Sequence, residues 1–147
     1  MATLADRLEA DYKTALKARE RLRVDTLRLI KAGIQRVAID KRKETLDDQE
    51  IIQVLTQQAK QRRETMESVK NTSRQDVFAQ ASQELAILTA YLPQPLSEDA
   101  LKQLIEDAIR TVGLQQGAIM KQVMAQAVGA ADGKLVSQLV AARVKAA

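Results

Sequence analysis

Pro93 and Pro95 are the only prolines in a chain of 147 residues, and they share one stretch, Tyr91-Leu92-Pro93-Gln94-Pro95-Leu96-Ser97-Glu98-Asp99. Proline has no backbone N–H and crowds the residue before it, so Leu92 and Gln94 are pushed out of helical geometry. A helix cannot run through this stretch. Elsewhere the chain has no proline and few glycines, so long helices are open to it. The sequence therefore predicts two helical parts: a domain over 1–92, a connector over 93–96 and a second domain over 97–147. Tyr91, Leu92, Pro93, Pro95 and Leu96 form the expected junction. Three residues separate Leu92 from Leu96, which predicts limited swing, with Tyr91 partly buried there.

The apolar spacing on both sides is helical. Leu4, Leu8, Tyr12 and Leu16 predict a first helix over Thr3–Lys17, with Thr3 as its cap and Asp6 completing a capping box. Val24, Leu27, Ile30, Ile34 and Val37 predict a second over Leu22–Lys41. Gly33 inside it costs about 1 kcal/mol against alanine and implies a closely packed neighbour. Thr45 or Asp47 starts a third helix with the stripe Ile51, Leu55, Ala59, Arg62, Met66 and Val69. Its middle is polar nearly all round, as in helices that extend from a core or bind something. Ser73 with Asp76 signals a fourth helix, running to Leu92. Ser97, then Glu98 and Asp99, open a fifth that closes at Gly113. Two short helices follow, the last capped by Asp132. The fold class is all-α: a helical N-terminal domain with long helices, then a small three-helix bundle.

Charge and chemistry narrow the function. There is no cysteine and no histidine, so thiolate chemistry and the commonest general base and metal ligand are absent. The carboxylate pairs Asp47/Asp48, Glu98/Asp99 and Glu106/Asp107 fall at helix starts or exposed faces, where acidic residues belong anyway. Residues 1–90 hold 17 basic and 14 acidic side chains, net +3, and residues 91–147 hold 6 and 5, net +1. Two basic runs stand out. One is Lys13, Lys17, Arg19, Arg21, Arg23 and Arg28; the other is Lys60, Arg62 and Arg63, flanked by Gln57 and Gln58. Such clusters contact phosphates through charge, although a solvated face of mixed sign is the competing reading. Gly129-Ala130-Ala131-Asp132-Gly133-Lys134 could present amides to an anion, yet it lacks the P-loop spacing and reads better as a turn and cap.

Four segments resemble the YqeY-like family. They are Leu27-Arg28-Leu29-Ile30-Lys31-Ala32-Gly33-Ile34, Lys60-Gln61-Arg62-Arg63-Glu64, Glu84 through Leu92 with Pro93 and Leu96-Ser97, and Ala131-Asp132-Gly133-Lys134-Leu135-Val136. The resemblance implies a helical N-terminal domain and a three-helix tail. The tail is similar to the C-terminal domain of the B subunit of aspartyl/glutamyl-tRNA amidotransferase, where it helps hold tRNA. The amide-forming chemistry of that enzyme lies in other domains, so the resemblance links this chain to glutamine-dependent carbon–nitrogen ligation without supplying catalytic residues. Here the tail departs from the family pattern. It has Met120-Lys121-Gln122-Val123-Met124, a short Ala125–Val128 segment, and Ala130 where arginine is common. The lost cations shift the expected phosphate contacts to the N-terminal domain.

The resulting expectation is a non-catalytic adaptor that binds tRNA or an aminoacyl-tRNA enzyme. Lys60, Arg62 and Arg63 are the expected contacts, and Arg28 and Lys121 are secondary. No cofactor, no metal and no membrane contact are expected. The rival expectation is a helical protein–protein module or homo-oligomer without RNA affinity. No apolar run reaches membrane-spanning length and no signal-peptide core is present, which predicts a cytoplasmic protein.

Overall fold

The computed structural model describes residues 3–127 and 130–147. Among them are seven helices and no strand, so the protein is all-α. The chain divides into two compact units, Met1–Leu92 and Pro93–Ala147.

The first unit contains α1 (Leu4–Ala18), α2 (Arg21–Asp40), α3 (Asp48–Val69) and α4 (Gln75–Thr89). The Thr3 hydroxyl accepts the Asp6 N–H at 3.1 Å, and the Asp6 carboxylate accepts the Thr3 N–H, which completes the capping box. Asp47, not Thr45, caps α3 and forms a second box with Glu50. The first two helices end one residue away from their predicted limits, and both ends use the same device. Arg19 and Arg42 adopt left-handed φ values of 56° and 55°. Each lets its own amide and the next turn back onto the helix: Arg19 N–H to the Leu16 carbonyl and Glu20 to Ala15, Arg42 to Ile39 and Lys43 to Ala38. This is the Schellman arrangement, usually signalled by glycine. With arginine there, the usual glycine signal is missing, and the charged runs Lys17–Arg21 and Lys41–Lys43 mark the two ends instead.

The core of this unit joins Leu8 and Ala15 of α1, Leu27 and Ile30 of α2, Ile51, Leu55 and Ala59 of α3, and Ile87 and Leu88 of α4. Gly33 sits where α2 meets α3. A Cβ there would lie 2.6 Å from Gln58 Nε2 and 3.1 Å from Val54 Cγ1. The predicted close approach is therefore real, and the neighbour is α3.

Three expectations for α3 and α4 need correction. The polar middle of α3 does not project from the core. Gln58 turns toward α2 and donates to the Leu29 carbonyl at 3.1 Å, and α4 covers the next turns in the unit's most extensive helix pairing. Ser73 does not cap α4. Arg74 occupies the cap position with no side-chain cap bond; its N–H reaches the Thr72 hydroxyl and its guanidinium reaches Asp76. The helix also ends at Thr89 rather than Leu92. Its last turn tightens, with the Tyr91 and Leu92 amides bonding three residues back.

The second unit is a three-helix bundle of α5 (Glu98–Val112), α6 (Gln116–Gln126) and α7 (Gly133–Ala146). Ser97 caps α5 through the Ala100 N–H, and Asp132 caps α7 through the Lys134 N–H. Gly113 ends α5 at φ 77°, a conformation that disfavours any side chain. The core is wholly apolar: Leu101, Ile105, Ala108, Ile119, Val123, Ala127, Val136 and Val140. Leu92 packs on the first core and Leu96 on the second. The Leu96 N–H donates to the Ala130 carbonyl at 2.8 Å, tying the residue after Pro95 to the turn before α7. No helix of the described residues is long and apolar enough to cross a membrane.

Candidate functional site

The face shared by α3 and α4 brings two of the singled-out segments together. Arg62, from Lys60-Gln61-Arg62-Arg63-Glu64, meets Glu84, the first residue of the segment that runs on to the prolines. The Arg62 Nε–H donates to Glu84 Oε2 at 2.5 Å, and the two side chains are only 14% and 13% exposed. Gln80, one turn before Glu84, donates to its other carboxylate oxygen at 3.0 Å. A buried charge without its partner is costly, so this pair fixes the register of α3 against α4. Beside it lies a shallow groove of about 290 Å³ lined by Arg62, Thr65, Val77, Gln80, Ala81 and Glu84.

This geometry separates the five expected cationic contacts. Arg62 is engaged by Glu84 and mostly withdrawn from solvent, which sets it apart from the exposed candidates for phosphate contact. Lys60 and Arg63 flank it in sequence and point to solvent. Arg28 is also exposed, but its Nε–H donates to the Tyr12 hydroxyl at 3.0 Å, which holds the guanidinium pKa above its ordinary value. Lys31 sits over the same ring, 4.3 Å from its centre, and pairs with Glu9. Lys121 is exposed on α6. Among the described residues, none of Lys60, Arg63, Arg28 and Lys121 has a carboxylate in ion-pair contact. In the first basic run, Arg21 and Arg23 are neutralised by Asp25 and Glu20. The glycine-rich candidate begins at Gly129, outside the described residues, and the part that is described uses Asp132 as a helix cap.

Two polar clusters escaped the sequence reading. Tyr91 is buried in the first core rather than partly exposed. Its hydroxyl donates to Asp11 at 2.5 Å, and the Arg7 guanidinium lies 4.7 Å over its ring while donating to the Ala90 carbonyl. Burial, then the Asp11 contact, pushes the phenol pKa up. The second cluster is Glu50, which is 8% exposed and held by Lys41 and Lys43 at 2.9 and 3.0 Å. Those lysines and the Asp47 amide lower its carboxyl pKa from 4.5 to about 2. Only a partner 80 residues away, or a loop conformation, would have revealed these contacts.

The described residues contain no cluster of three or more acidic side chains able to hold a metal ion.

Comparison with known proteins gives a consistent result. The chain is 26% identical over 140 residues to the altered inheritance of mitochondria protein 41, mitochondrial, of Pyrenophora tritici-repentis, covering 90% of this chain and 76% of that protein. The sequence pattern of the YqeY-like protein family matches residues 5–144. With nearly the whole chain matched, the protein belongs to the YqeY-like family.

Proposed function

We propose that the protein is a non-catalytic adaptor that binds structured RNA of the tRNA class through phosphate contacts from its exposed cations. The observation that carries this reading is the contrast on α3. Lys60 and Arg63 are exposed and unpaired among the described residues, while Arg62 between them is neutralised by Glu84. Cations without carboxylate partners are the groups able to release counterions from a polyanion. Arg28 on α2 and Lys121 on α6 add secondary contacts. The resemblance to the amidotransferase tail supports a working place for the adaptor beside an amidating enzyme. The cysteine-free composition fits a reducing compartment such as the cytoplasm, and the fungal relative's name assigns that protein to mitochondria.

The test is an electrophoretic-shift titration with unmodified tRNA. Binding at low salt that weakens steeply as salt rises, and that is reduced in Lys60→Ala/Arg63→Ala, is expected. No binding at low salt removes the reading. A protein–protein module is the second reading, favoured by Ile39 and Leu29, which are 66% and 50% exposed on α2. Sedimentation at several concentrations separates the two: self-association without tRNA affinity supports the second.

A further inference from the structure

We infer that the groove between α3 and α4 binds the hydrogen-bonding edge of one unpaired guanine base. This deepens the RNA reading and rests on it. The groove of about 290 Å³ lies at the lower end of the roughly 300–1,000 Å³ typical of ligand sites, room for a base rather than for a larger molecule. Val77 and Ala81 give it an apolar side on which a flat ring can lie.

The polar side is ordered. Arg62 uses its Nε–H on Glu84, and its other guanidinium N–H groups have no protein acceptor among the described residues. Glu84 Oε2 accepts that one bond and Oε1 accepts one from Gln80. A carboxylate has about four acceptor positions, so each oxygen keeps room for another donor. The wall therefore reads acceptor, acceptor, donor. Guanine presents the complement, its N2 and N1 donors followed by the O6 acceptor. Adenine, cytosine and uracil lack two adjacent donors. The Arg62–Glu84 pair is also neutral as a unit, so it holds neither a lone phosphate nor a metal cation. Thr65 spends its hydroxyl proton on the Gln61 carbonyl and leaves its oxygen as a further acceptor in the groove.

The experiment is an NMR titration of the full chain with 5′-GMP, followed through the Arg62 Nε–H and Gln80 amide signals. The controls are 5′-AMP, ribose 5-phosphate and acetamide. Saturable shifts with GMP, about tenfold or more weaker with AMP, are expected, since one good bidentate contact discriminates bases by that order. Glu84→Gln, checked for folding by its melting curve, lowers GMP affinity about tenfold, because it turns one acceptor into a donor. Gln80→Ala, at an exposed position, frees Oε1 and binds GMP at least as tightly. Equal shifts with AMP, ribose 5-phosphate or acetamide, or no shift at Arg62 with GMP, overturn the inference. Lys60→Ala/Arg63→Ala keeps the GMP shifts while weakening tRNA binding. Failure of the groove leaves tRNA binding without GMP shifts, and failure of the RNA reading leaves GMP shifts without tRNA binding.

Discussion

The two units solve the same problem with different chemistry. The second buries only aliphatic side chains, and its interhelical ion pair, Arg143 with Glu106, stays 37% and 42% exposed. The first places polar groups at the edges of its core: Arg62 with Glu84, both mostly withdrawn from solvent, the buried Tyr91 with Asp11, the buried Glu50 under two exposed lysines, and the half-buried Gln58 against Gly33. An aliphatic core tolerates small slides of one helix over another, because it is non-directional. Buried hydrogen bonds and charges penalise them, because a displaced partner leaves an unsatisfied group. The comparison teaches that the first unit spends stability on fixing its α3–α4 face, where the groove lies.

The largest expected effect tests that claim. Arg62→Ala leaves Glu84 buried without its partner and costs about 3 kcal/mol or more in urea unfolding, while Arg62→Leu/Glu84→Leu recovers most of it. A double variant as unstable as the single would show that the pair is not the cause. Gly33→Ala comes next. The helix gains about 1 kcal/mol in propensity, but the new methyl meets Gln58 and Val54, and overpacking of this kind costs about 1–3 kcal/mol. A net loss of about 1 kcal/mol is expected, with Gln58→Ala relieving it; a stabilised Gly33→Ala protein would mean that α2 and α3 are not held at this distance. In the second unit, Arg143→Ala removes a half-exposed pair and shifts unfolding by less than about 1 kcal/mol. A loss equal to that of Arg62→Ala would erase the contrast between the units.

An effect confined to acid closes the series. The carboxyl of Glu50 has a pKa depressed from 4.5 to about 2 by Lys41, the Asp47 amide and Lys43. Its contribution is present above pH 4.5 and is lost as pH falls through about 2. Protection of amides in the α2–α3 loop, taken relative to their intrinsic exchange rates at each pH, should therefore fall across this range in the native protein, and Glu50→Gln should flatten that limb. An unchanged acid limb in Glu50→Gln would assign the acid sensitivity to other carboxylates.

What the sequence made legible follows the same division. The bundle could be read directly, because Ser97, Asp132 and Gly113 are local signals and its stripe is purely apolar. In the first unit the helices were legible, and α1 and α2 end within one residue of expectation although Arg19 and Arg42 stand where glycine is usual, but the start and end of α4 were not legible. Arg62 fell on the apolar stripe of α3, which placed it inward, yet its charge argued for a surface role. Only the position of Glu84, 22 residues away on the next helix, decides between them. The cap of α4 failed for a similar reason: Arg74 takes the cap position, its N–H held by the Thr72 hydroxyl and its guanidinium by Asp76. Local signals survive in the sequence; long-range pairs between charged side chains do not.

The central claim is that Arg62 organises the α3–α4 face while Lys60 and Arg63 contact phosphate. The salt dependence of tRNA binding tests it most directly, measured for the native chain, for Lys60→Ala/Arg63→Ala and for Arg62→Leu/Glu84→Leu. The account predicts that losing Lys60 and Arg63 lowers the slope by about one unit per cation removed, and that the Arg62/Glu84 variant keeps the native slope. A native slope in the Lys60/Arg63 variant, together with a reduced one in the Arg62/Glu84 variant, would contradict it.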